Sequence, residues 1–296
     1  MKKQLYGSLV GTGLAFAGYA YYSTKKLTLT HYPVYSPKIP PAFDGKTFIQ
    51  LSDLHSQRFG RSNHKLIKMV KAERPDAIFL TGDLLDGDEW IDVALALVRK
   101  LSQYAPLFYI SGNHEQRSSF FEEFLSGLKQ AGVYILHNET RYLKEGEDRI
   151  AICGVDDPKF HLEVPDEDED EELYIAFDKY QAEEEILRQE IEQATARIPD
   201  ELFTILLSHR PEFWPFYQMQ PVDLILSGHA HGGQIRLPFT DGLFAPGQGL
   251  FPKTTSGLRE ANGRQLIVSR GLGNTTMLIP RVFNNPEIVK ITLNHN

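Results

Sequence analysis

The feature that most constrains the fold is an apolar run that recurs at intervals of about 30 residues and ends each time in polar residues. Such runs occupy 47–51, 77–80 and 106–110, and the stretches between them place apolar residues at helical spacing. Because a strand, a helix and a strand in succession form a parallel pair with a right-handed crossover, the pattern predicts an α/β fold. Parallel strands end at one edge of their sheet, so we expect the polar residues to lie together there.

The polar residues at the strand ends are of the types that bind metal ions. Two later apolar runs, at 203–207 and 222–226, end in histidines in the same way. In chain order the strand-end residues are Asp53, His55, Asp83, Asn113, His114, His209, His229 and His231. Carboxylates and imidazoles gathered at one edge seldom satisfy one another by hydrogen bonds alone. The set therefore indicates a metal centre.

Composition narrows the class of protein without identifying a function. The chain has 296 residues, of which 42% are hydrophobic, so it can bury a full core, and no linker to a second domain is evident. Its net charge is −8 and its basic residues form no stripe, which argues against nucleic acid as a main partner. The single cysteine, Cys153, lies in an apolar run, where a small buried core residue is expected rather than a nucleophile or ligand.

The first 26 residues predict a membrane segment. An uncharged run, 4–24, lies between two lysine pairs, and as a helix it would span roughly 30 Å, enough to cross a bilayer. We expect an uncleaved single-pass anchor in the cell membrane, with the catalytic domain on the extracytoplasmic side. A cleaved signal peptide is the main alternative, because Ala15-Phe-Ala17 has the form of a cleavage site, and a soluble cytosolic protein is a weaker third. Lysines at both ends leave the orientation open.

Two further segments are expected to be irregular. The proline-rich stretch 27–45 predicts an extended linker from the membrane segment to a single domain over 46–296. The acidic tract 165–172 predicts a solvated loop; calcium binding is an alternative, although the spacing of a calcium loop is absent.

The order of the strand-end residues resembles that of the calcineurin-like metallophosphoesterases. The shared blocks are Asp-x-His, Gly-Asp, Gly-Asn-His-Glu, His and Gly-His-x-His, and the resemblance covers about 47–295. The segments 228–238, 248–252 and 269–273 also resemble a group of bacterial membrane-associated phosphodiesterases, which includes enzymes similar to UDP-2,3-diacylglucosamine pyrophosphatases. The resemblance implies a four-layer α/β/β/α sandwich with two metal ions at one edge.

Carried over position by position, the resemblance implies a role for each strand-end residue. Asp53, His55 and His231 would bind the first metal ion, Asn113, His209 and His229 would bind the second, and Asp83 would bridge both. Mixed nitrogen and oxygen ligands suit manganese, iron or zinc, and we favour manganese. The two ions would share an activated water, so that no side-chain nucleophile is needed.

Other residues near the strand ends are expected to act on the substrate or to support the ligands. The resemblance makes His114 a catalytic residue that contacts the phosphate, together with Asn113, and protonates the leaving oxygen; a purely structural histidine is the alternative. Glu115 would accept a hydrogen bond from a ligand or from His114. Arg210 and Arg270 could bind substrate phosphate or form salt bridges, and the sequence does not separate these roles.

Together these features predict a dinuclear metal-dependent phosphoesterase. We expect it to hydrolyse a phosphodiester or pyrophosphate on a membrane or envelope substrate that could be lipid-linked. A phosphomonoesterase with the same metal core is the first alternative. A non-catalytic metal-binding scaffold is the second, but such a protein should lack a ligand or His114, and none of these residues is missing.

Overall fold

A computed structural model describes residues 18–86, 91–161, 174–236, 241–274 and 281–296. Its strands, in chain order, are β1 (Thr28–Ser36), β2 (Thr47–Leu51), β3 (Ala77–Thr81), β4 (Leu107–Ile110), β5 (Tyr134–Ile135), β6 (Glu139–Glu145), β7 (Asp148–Gly154), β8 (Thr204–Leu207), β9 (Leu224–Ser227), β10 (Phe244–Ala245), β11 (Gly249–Leu250), β12 (Gly257–Ala261), β13 (Arg264–Val268) and β14 (Glu287–His295). The longer helices are α1 (His64–Ala72), α2 (Ile91–Leu101), α3 (Phe121–Gln130) and α4 (Tyr174–Thr195), and a single turn forms α5 (Trp214–Tyr217).

Twelve of the strands form two six-stranded mixed sheets. The first has the order β1-β14-β2-β3-β4-β5 and the second the order β12-β13-β9-β8-β7-β6. Strands β2 to β5 are parallel to one another, with α1, α2 and α3 as crossovers, which confirms the α/β pattern predicted from the sequence. In the second sheet β7, β8, β9 and β13 are parallel, and β6 and β12 are antiparallel edge strands.

The two sheets pack face to face, with helices on both outer faces. Successive side chains of a strand point to opposite faces, and β3 is buried on both. Phe79 of β3 belongs to the core between the sheets, together with Ile205 of the second sheet, whereas its neighbours Ile78 and Leu80 belong to the core formed with α1, α2 and α3. Helices α4 and α5 cover the outer face of the second sheet. This is the α/β/β/α layering that the sequence predicts.

The segment 27–45, for which the sequence predicts an extended linker, is packed into the domain instead. Its strand β1 pairs in parallel with β14, and Val34, Ile39 and Phe43 are buried in the core between the sheets. An edge strand tolerates proline because one side of its backbone needs no hydrogen-bond partner, so Pro33 does not prevent pairing. A high proline content is therefore compatible with an edge strand as well as with a linker.

The N-terminal segment is described from residue 18 onward. Residues 18–25 are helical and contact the domain through Ser23, whose hydroxyl donates to Asn285 at 3.0 Å, and through Tyr19, whose ring lies 5.1 Å from that of Phe283. Within the described ranges, no helix combines the length and the apolar character needed to cross a bilayer. Most of the predicted anchor, 1–17, and the whole acidic tract 165–172 lie outside the described residues.

Candidate metal centre

The structure brings all the predicted strand-end residues to one edge shared by the two sheets. They follow strands β2, β3 and β4 of the first sheet and β8 and β9 of the second. All of them are buried except His114, whose side chain is 14% exposed. The residues are Asp53, His55, Asp83, Asn113, His114, His209, His229 and His231. Position along the strands therefore predicted their proximity in space.

Most of these residues sit in an unusual backbone conformation. Asp53, His55, Asp83, His229 and His231 are left-handed, with φ between 43° and 63°. Each such residue costs on the order of 1–3 kcal/mol, and such strain is concentrated at functional sites. The left-handed turns bend the chain just beyond each strand, and cross-strand bonds hold them: the Asp53 N–H donates to the Gly82 carbonyl at 3.0 Å. This strained backbone directs the side chains toward one point.

A first group of possible ligands surrounds one point near the end of β2. Asp53, His55, Asp83 and His231 each place a ligand atom within 4.8 Å of those of the others. The Nε2 atoms of His55 and His231 are 3.1 Å apart, and His231 Nε2 lies 3.5 Å from Asp53 Oδ1. His55 Nε2 lies 3.7 Å from Asp83 Oδ2. Two imidazoles and two carboxylates can together hold one divalent cation.

A second group shares Asp83 with the first. Its histidines are His209, whose Nε2 lies 3.2 Å from Asp83 Oδ2, and His229, whose ring centroid is 5.0 Å from that of His209. His209 Nδ1 lies 2.8 Å from the Thr81 carbonyl, which fixes the ring and directs Nε2 to the site. Asp83 Oδ2 therefore lies within 4 Å of a histidine of each group.

Unpaired buried atoms test whether these residues fit a pair of metal ions. Asp53 Oδ2, Asn113 Oδ1 and His229 Nε2 are buried and have no hydrogen-bond partner among the described residues. An unsatisfied buried polar atom is costly, and ligation to a cation would satisfy each of these. The donors are nitrogen and oxygen without thiolate, a set that suits manganese, iron or zinc. The residues fit the ions, and the ligand assignments stay predictions.

The charges of the site also favour cations. Burial opposes the charge of Asp83, but His209 and His55 beside it outweigh burial and hold its pKa well below the usual range. Burial lowers the pKa of His229 and of His231, and the nearby cations Arg210 and Arg281 lower them further. An anionic Asp83 and neutral His229 and His231 are in the protonation states that bind metal ions. At His209 burial opposes the charged form, but Asp83 and Asp53 outweigh burial and raise the pKa to about 10, so a cation bound there would replace a proton.

Asp86 is a residue of this site that the sequence analysis missed. Its Oδ1 lies 3.1 Å from His114 Nδ1 and 3.8 Å from His55 Nδ1, and the hydrogen bond to His114 holds the pKa of Asp86 well below its usual range. The ring of His114 is edge-on to that of His55 at 4.6 Å. A second acid three residues after Asp83, in Gly82-Asp-Leu-Leu-Asp86, is the signal that could have found it.

Glu115 supports the backbone of the site rather than a histidine. Its buried carboxylate accepts hydrogen bonds from the N–H groups of Asp83 at 2.9 Å, Leu84 at 2.6 Å, Leu85 at 3.2 Å and Gly112 at 2.9 Å. The expected bond from a ligand is present, through the backbone of Asp83, and no bond to the His114 side chain accompanies it. Glu115 thus ties the turn after β3 to the turn after β4.

Both arginines near the strand ends form salt bridges. The Arg210 guanidinium donates to Asp157 through Nε at 2.7 Å and Nη2 at 2.8 Å, and Nη1 lies 3.4 Å from Glu183. Arg270 donates to Glu287 at 3.0 and 2.8 Å. Arg210 still lines the cavity beside the site, but carboxylates occupy its donors, so the structure supports the salt-bridge role over the predicted phosphate contact.

Arg281 is a second residue that the sequence did not reveal. It is fully buried, donates to the carbonyls of Gly273 at 2.9 Å and Arg270 at 2.7 Å, and places Nη2 3.3 Å from His231 Nδ1. It therefore packs against the back of the His231 ring and fixes its orientation. No local signal marks Arg281, because it lies 50 residues beyond His231 in the chain.

A cavity of about 470 Å³ opens onto the site. Asp83, Asn113, His114, His229 and His231 form the wall nearest to the candidate metal positions. His114 is the most exposed residue of the strand-end set, so a ligand in the cavity can reach its ring. The arrangement can hold two cations at the base of a cavity and present an imidazole beside them.

Comparisons with known proteins agree with this chemistry. Residues 46–233 match the family model of the calcineurin-like phosphoesterases. YkuE of Bacillus subtilis (strain 168), described as an uncharacterized metallophosphoesterase, is 30% identical over 98% of this chain and 95% of its own length. Phosphodiesterase YaeI of Escherichia coli (strain K12) is 26% identical over 82% of this chain and 80% of its own length. A transmembrane protein with metallophosphoesterase domain from Bos taurus is 29% identical over 71% of this chain and 45% of that protein.

The matched region contains every strand-end residue from Asp53 to His231. The chain therefore belongs to the calcineurin-like phosphoesterase family and is a metal-dependent phosphoester hydrolase.

Proposed function

We propose that this hydrolase cleaves a phosphodiester or a pyrophosphate with two divalent metal ions held at the strand-end site. The observation that carries the proposal is the position of Asp83, whose Oδ2 lies 3.2 Å from His209 Nε2 and 3.7 Å from His55 Nε2. One carboxylate oxygen is thus shared by two groups of buried donors, as a two-metal site requires.

We assign the ligands as the sequence resemblance implies. The first ion would be held by Asp53, His55, Asp83 and His231, and the second by Asp83, Asn113, His209 and His229. The convergence of the first group within 4.8 Å and the unpaired Oδ1 of Asn113 support this assignment. Manganese is our first choice among the metals that suit such ligands, ahead of iron and zinc.

The side chains around the ions complete the chemistry. Two bound cations would lower the pKa of a shared water and neutralise the developing charge on the phosphoryl oxygens. His114 would give a proton to the leaving oxygen from Nε2, since Asp86 holds its Nδ1. Burial disfavours the charged form of His114, but Asp86 and Asp83 outweigh burial and raise its pKa. Cys153 is unsuited to be a nucleophile, because burial raises its pKa to about 12.

A diester or pyrophosphate is favoured over a monoester by similarity and by the form of the cavity. The name of the relative YaeI specifies phosphodiester hydrolysis. The cavity extends beyond His114 to residues of α4 and of the turn at Pro158–His161, so the phosphorus has room for a substituent on the side away from the ions. A phosphomonoesterase would use the same metal core, and the activity test separates the two.

Membrane association is part of the same proposal. The uncharged run 4–24 between lysine pairs supports an N-terminal anchor, with the domain on the extracytoplasmic side. On the helical residues 18–25, Tyr21 and Tyr22 are exposed, and tyrosine is enriched at membrane interfaces. The name of the Bos taurus relative, a transmembrane protein, gives further support. Membrane flotation of the full chain, with protease accessibility in intact cells and in lysed cells, tests both anchoring and side.

The activity is tested with metal-free protein resupplied with manganese, iron or zinc one at a time. Hydrolysis of bis-p-nitrophenyl phosphate is compared with that of p-nitrophenyl phosphate, and Asp83→Ala runs beside the wild type. Diester turnover that a metal restores and that Asp83→Ala lacks supports the proposal. A preference for the monoester would establish the phosphomonoesterase instead. Tight metal binding without turnover of either compound would favour the scaffold.

A further inference from the structure

Three cationic side chains line the same cavity as the strand-end residues. They are Arg117, in the turn Glu115–Arg117, Lys159, in the turn Pro158–His161, and Lys179, on α4. None of the three has an ion pair with a carboxylate within the described part of the chain. Arg210 on the same wall differs, because Asp157 and Glu183 neutralise it. Among the described residues, the cavity therefore has three cations that no carboxylate contacts as an ion pair.

These cations stand close enough to repel one another. The pKa of Lys159 is lowered, first by burial and then by the charges of Arg117, Arg210 and Lys179. Carboxylates oppose this repulsion only in part: Asp157 acts on Lys159, and Glu183 acts on Lys159 and Lys179. The nearest cationic partner of Glu183 and of Glu212 is nevertheless Arg210, at 3.4 and 3.6 Å. Like charges close together in a partly buried cavity raise the electrostatic free energy of the protein unless a bound anion offsets them.

We propose that Arg117, Lys159 and Lys179 bind a second phosphate group of the substrate, next to the phosphate that is hydrolysed. This inference rests on the proposed function and makes it more specific: the substrate is a diphosphate, rather than a simple diester with one charge. The scissile phosphate lies at the ions and His114, and the neighbouring phosphate lies on the cationic wall.

The chemistry of the three residues suits a phosphate. A guanidinium can bind two phosphate oxygens at once, and lysine ammonium groups add point charges. Arg117 lies three residues after His114, and its charge acts on that ring, so the cationic wall begins beside the proton donor. The three side chains come from separate segments of the chain and line the same cavity. That convergence is what a subsite requires.

The test uses ligands that differ by one anionic group. Manganese-loaded, full-length protein is titrated calorimetrically with methylenediphosphonate, which has two phosphonates and resists hydrolysis, and with methylphosphonate, at fixed excess free manganese. The test variant is Arg117→Gln/Lys159→Gln/Lys179→Gln. The matched control is Lys68→Gln/Lys100→Gln/Lys144→Gln, which makes the same change in net charge at exposed positions away from the cavity. Thermal unfolding verifies that both variants are folded.

We expect wild type and control to bind methylenediphosphonate at least about tenfold more tightly than methylphosphonate. The test variant should lose at least about tenfold in Kd for methylenediphosphonate and no more than about threefold for methylphosphonate. No preference in the wild type, an unchanged preference in the test variant, or an equal loss in the control would overturn the subsite. Hydrolysis of bis-p-nitrophenyl phosphate by the wild type is assayed separately. Its absence would contradict the proposed function, whereas turnover without the binding preference would contradict only the subsite.

Discussion

Asp86 Oδ1 and His114 Nδ1 are 3.1 Å apart, beside the buried His55. The contact fixes the tautomer of His114, because a proton on Nδ1 is donated to the carboxylate and Nε2 is left for the substrate. Asp86 is about half exposed and reaches no closer than 3.8 Å to His55, so its main partner is His114. The pair acts as a unit, and its members can be tested separately.

Replacing His114 with alanine should leave both metal ions bound and lower kcat by about 10² to 10⁴, the usual contribution of a general acid. The loss should be larger for a diester with an alkyl leaving group than for one with p-nitrophenolate, which leaves without protonation. Metal content by mass spectrometry and kcat for the two substrates provide the measurement. Loss of metal, or an equal effect on both leaving groups, would exclude a proton-donor role.

Asp86→Asn should lower kcat by about tenfold to a hundredfold through misorientation of His114. In the double variant with His114→Ala, the second substitution should add almost nothing, because Asp86 acts through the imidazole. If the two substitutions instead lower kcat by independent factors that multiply in the double variant, Asp86 acts by a route other than His114, for example through His55. Metal content is measured for all three variants.

Asp83→Ala should remove both metal ions and lower activity at least about a thousandfold, because the bridging carboxylate is lost from both groups of donors. Titration of the metal-free variant with manganese measures the loss. Asp92→Ala, which removes an exposed carboxylate on α2, is the control and should bind metal as the wild type does. Retention of one full-affinity ion by Asp83→Ala would show that the two groups are independent.

Gly112→Ala should disturb the same carboxylate without removing it. A Cβ at position 112 would lie 2.2 Å from Asp83 Oδ1 and 2.6 Å from the Asp83 backbone nitrogen, and rigid backbone cannot yield. We expect a loss of roughly 1–3 kcal/mol in stability and weaker manganese binding. Gly18→Ala is the control, because a Cβ there meets no atom of the described residues within 4 Å. Equal melting temperatures and metal affinities for both variants would contradict the predicted clash.

Glu190 on α4 should make stability depend on pH. Burial raises its pKa to about 8, so the folded state binds a proton that the unfolded chain releases near pH 4.5. Stability contributed by this group is therefore lost as pH rises between these values, and Glu190→Gln should remove the penalty. The Tm of the variant minus that of the wild type should increase by about 2–4 °C from pH 5 to pH 8.5, for a change of about 1 kcal/mol.

The half-exposed His161, 2.9 Å from Glu190, would act in the opposite sense. A Tm difference that shrinks with rising pH would show that this ion pair outweighs burial. Glu192→Gln, an exposed acid on the same helix, serves as the control and should give no trend.

The parts of the fold and of the site that follow strand ends could be predicted from the sequence. Parallel strands such as β2 and β3 place their carboxyl ends at one edge, so the residues after them must meet, and a local pattern is enough to locate Asp53 and Asp83. The strands that contribute His209 and His229 could be placed in the same way. Their assignment to particular ions came from the resemblance.

What the sequence could not predict depends on distant partners. Arg210 is placed against Asp157, 53 residues away, so its donors are occupied in a way that no local pattern reveals. Arg281 contacts His231 only in the folded chain. Lys159 and Lys179 line the same cavity as Arg117 only when α4 is packed on the domain. The linker predicted for 27–45 was wrong because an edge strand and a linker tolerate proline equally.

The pairing of β1 with β14 has a consequence for how the chain is made. Strand β14 lies between β1 and β2 in the first sheet, and Thr28 donates to the Pro286 carbonyl 258 residues later. While the ribosome is still adding the intervening residues, β1 has no neighbour and one edge of β2 is unpaired. Such open edges invite pairing with other chains. The nascent polypeptide thus has unpaired edges on β1 and β2 until β14 emerges. A chaperone that shields strand edges would matter most during that interval.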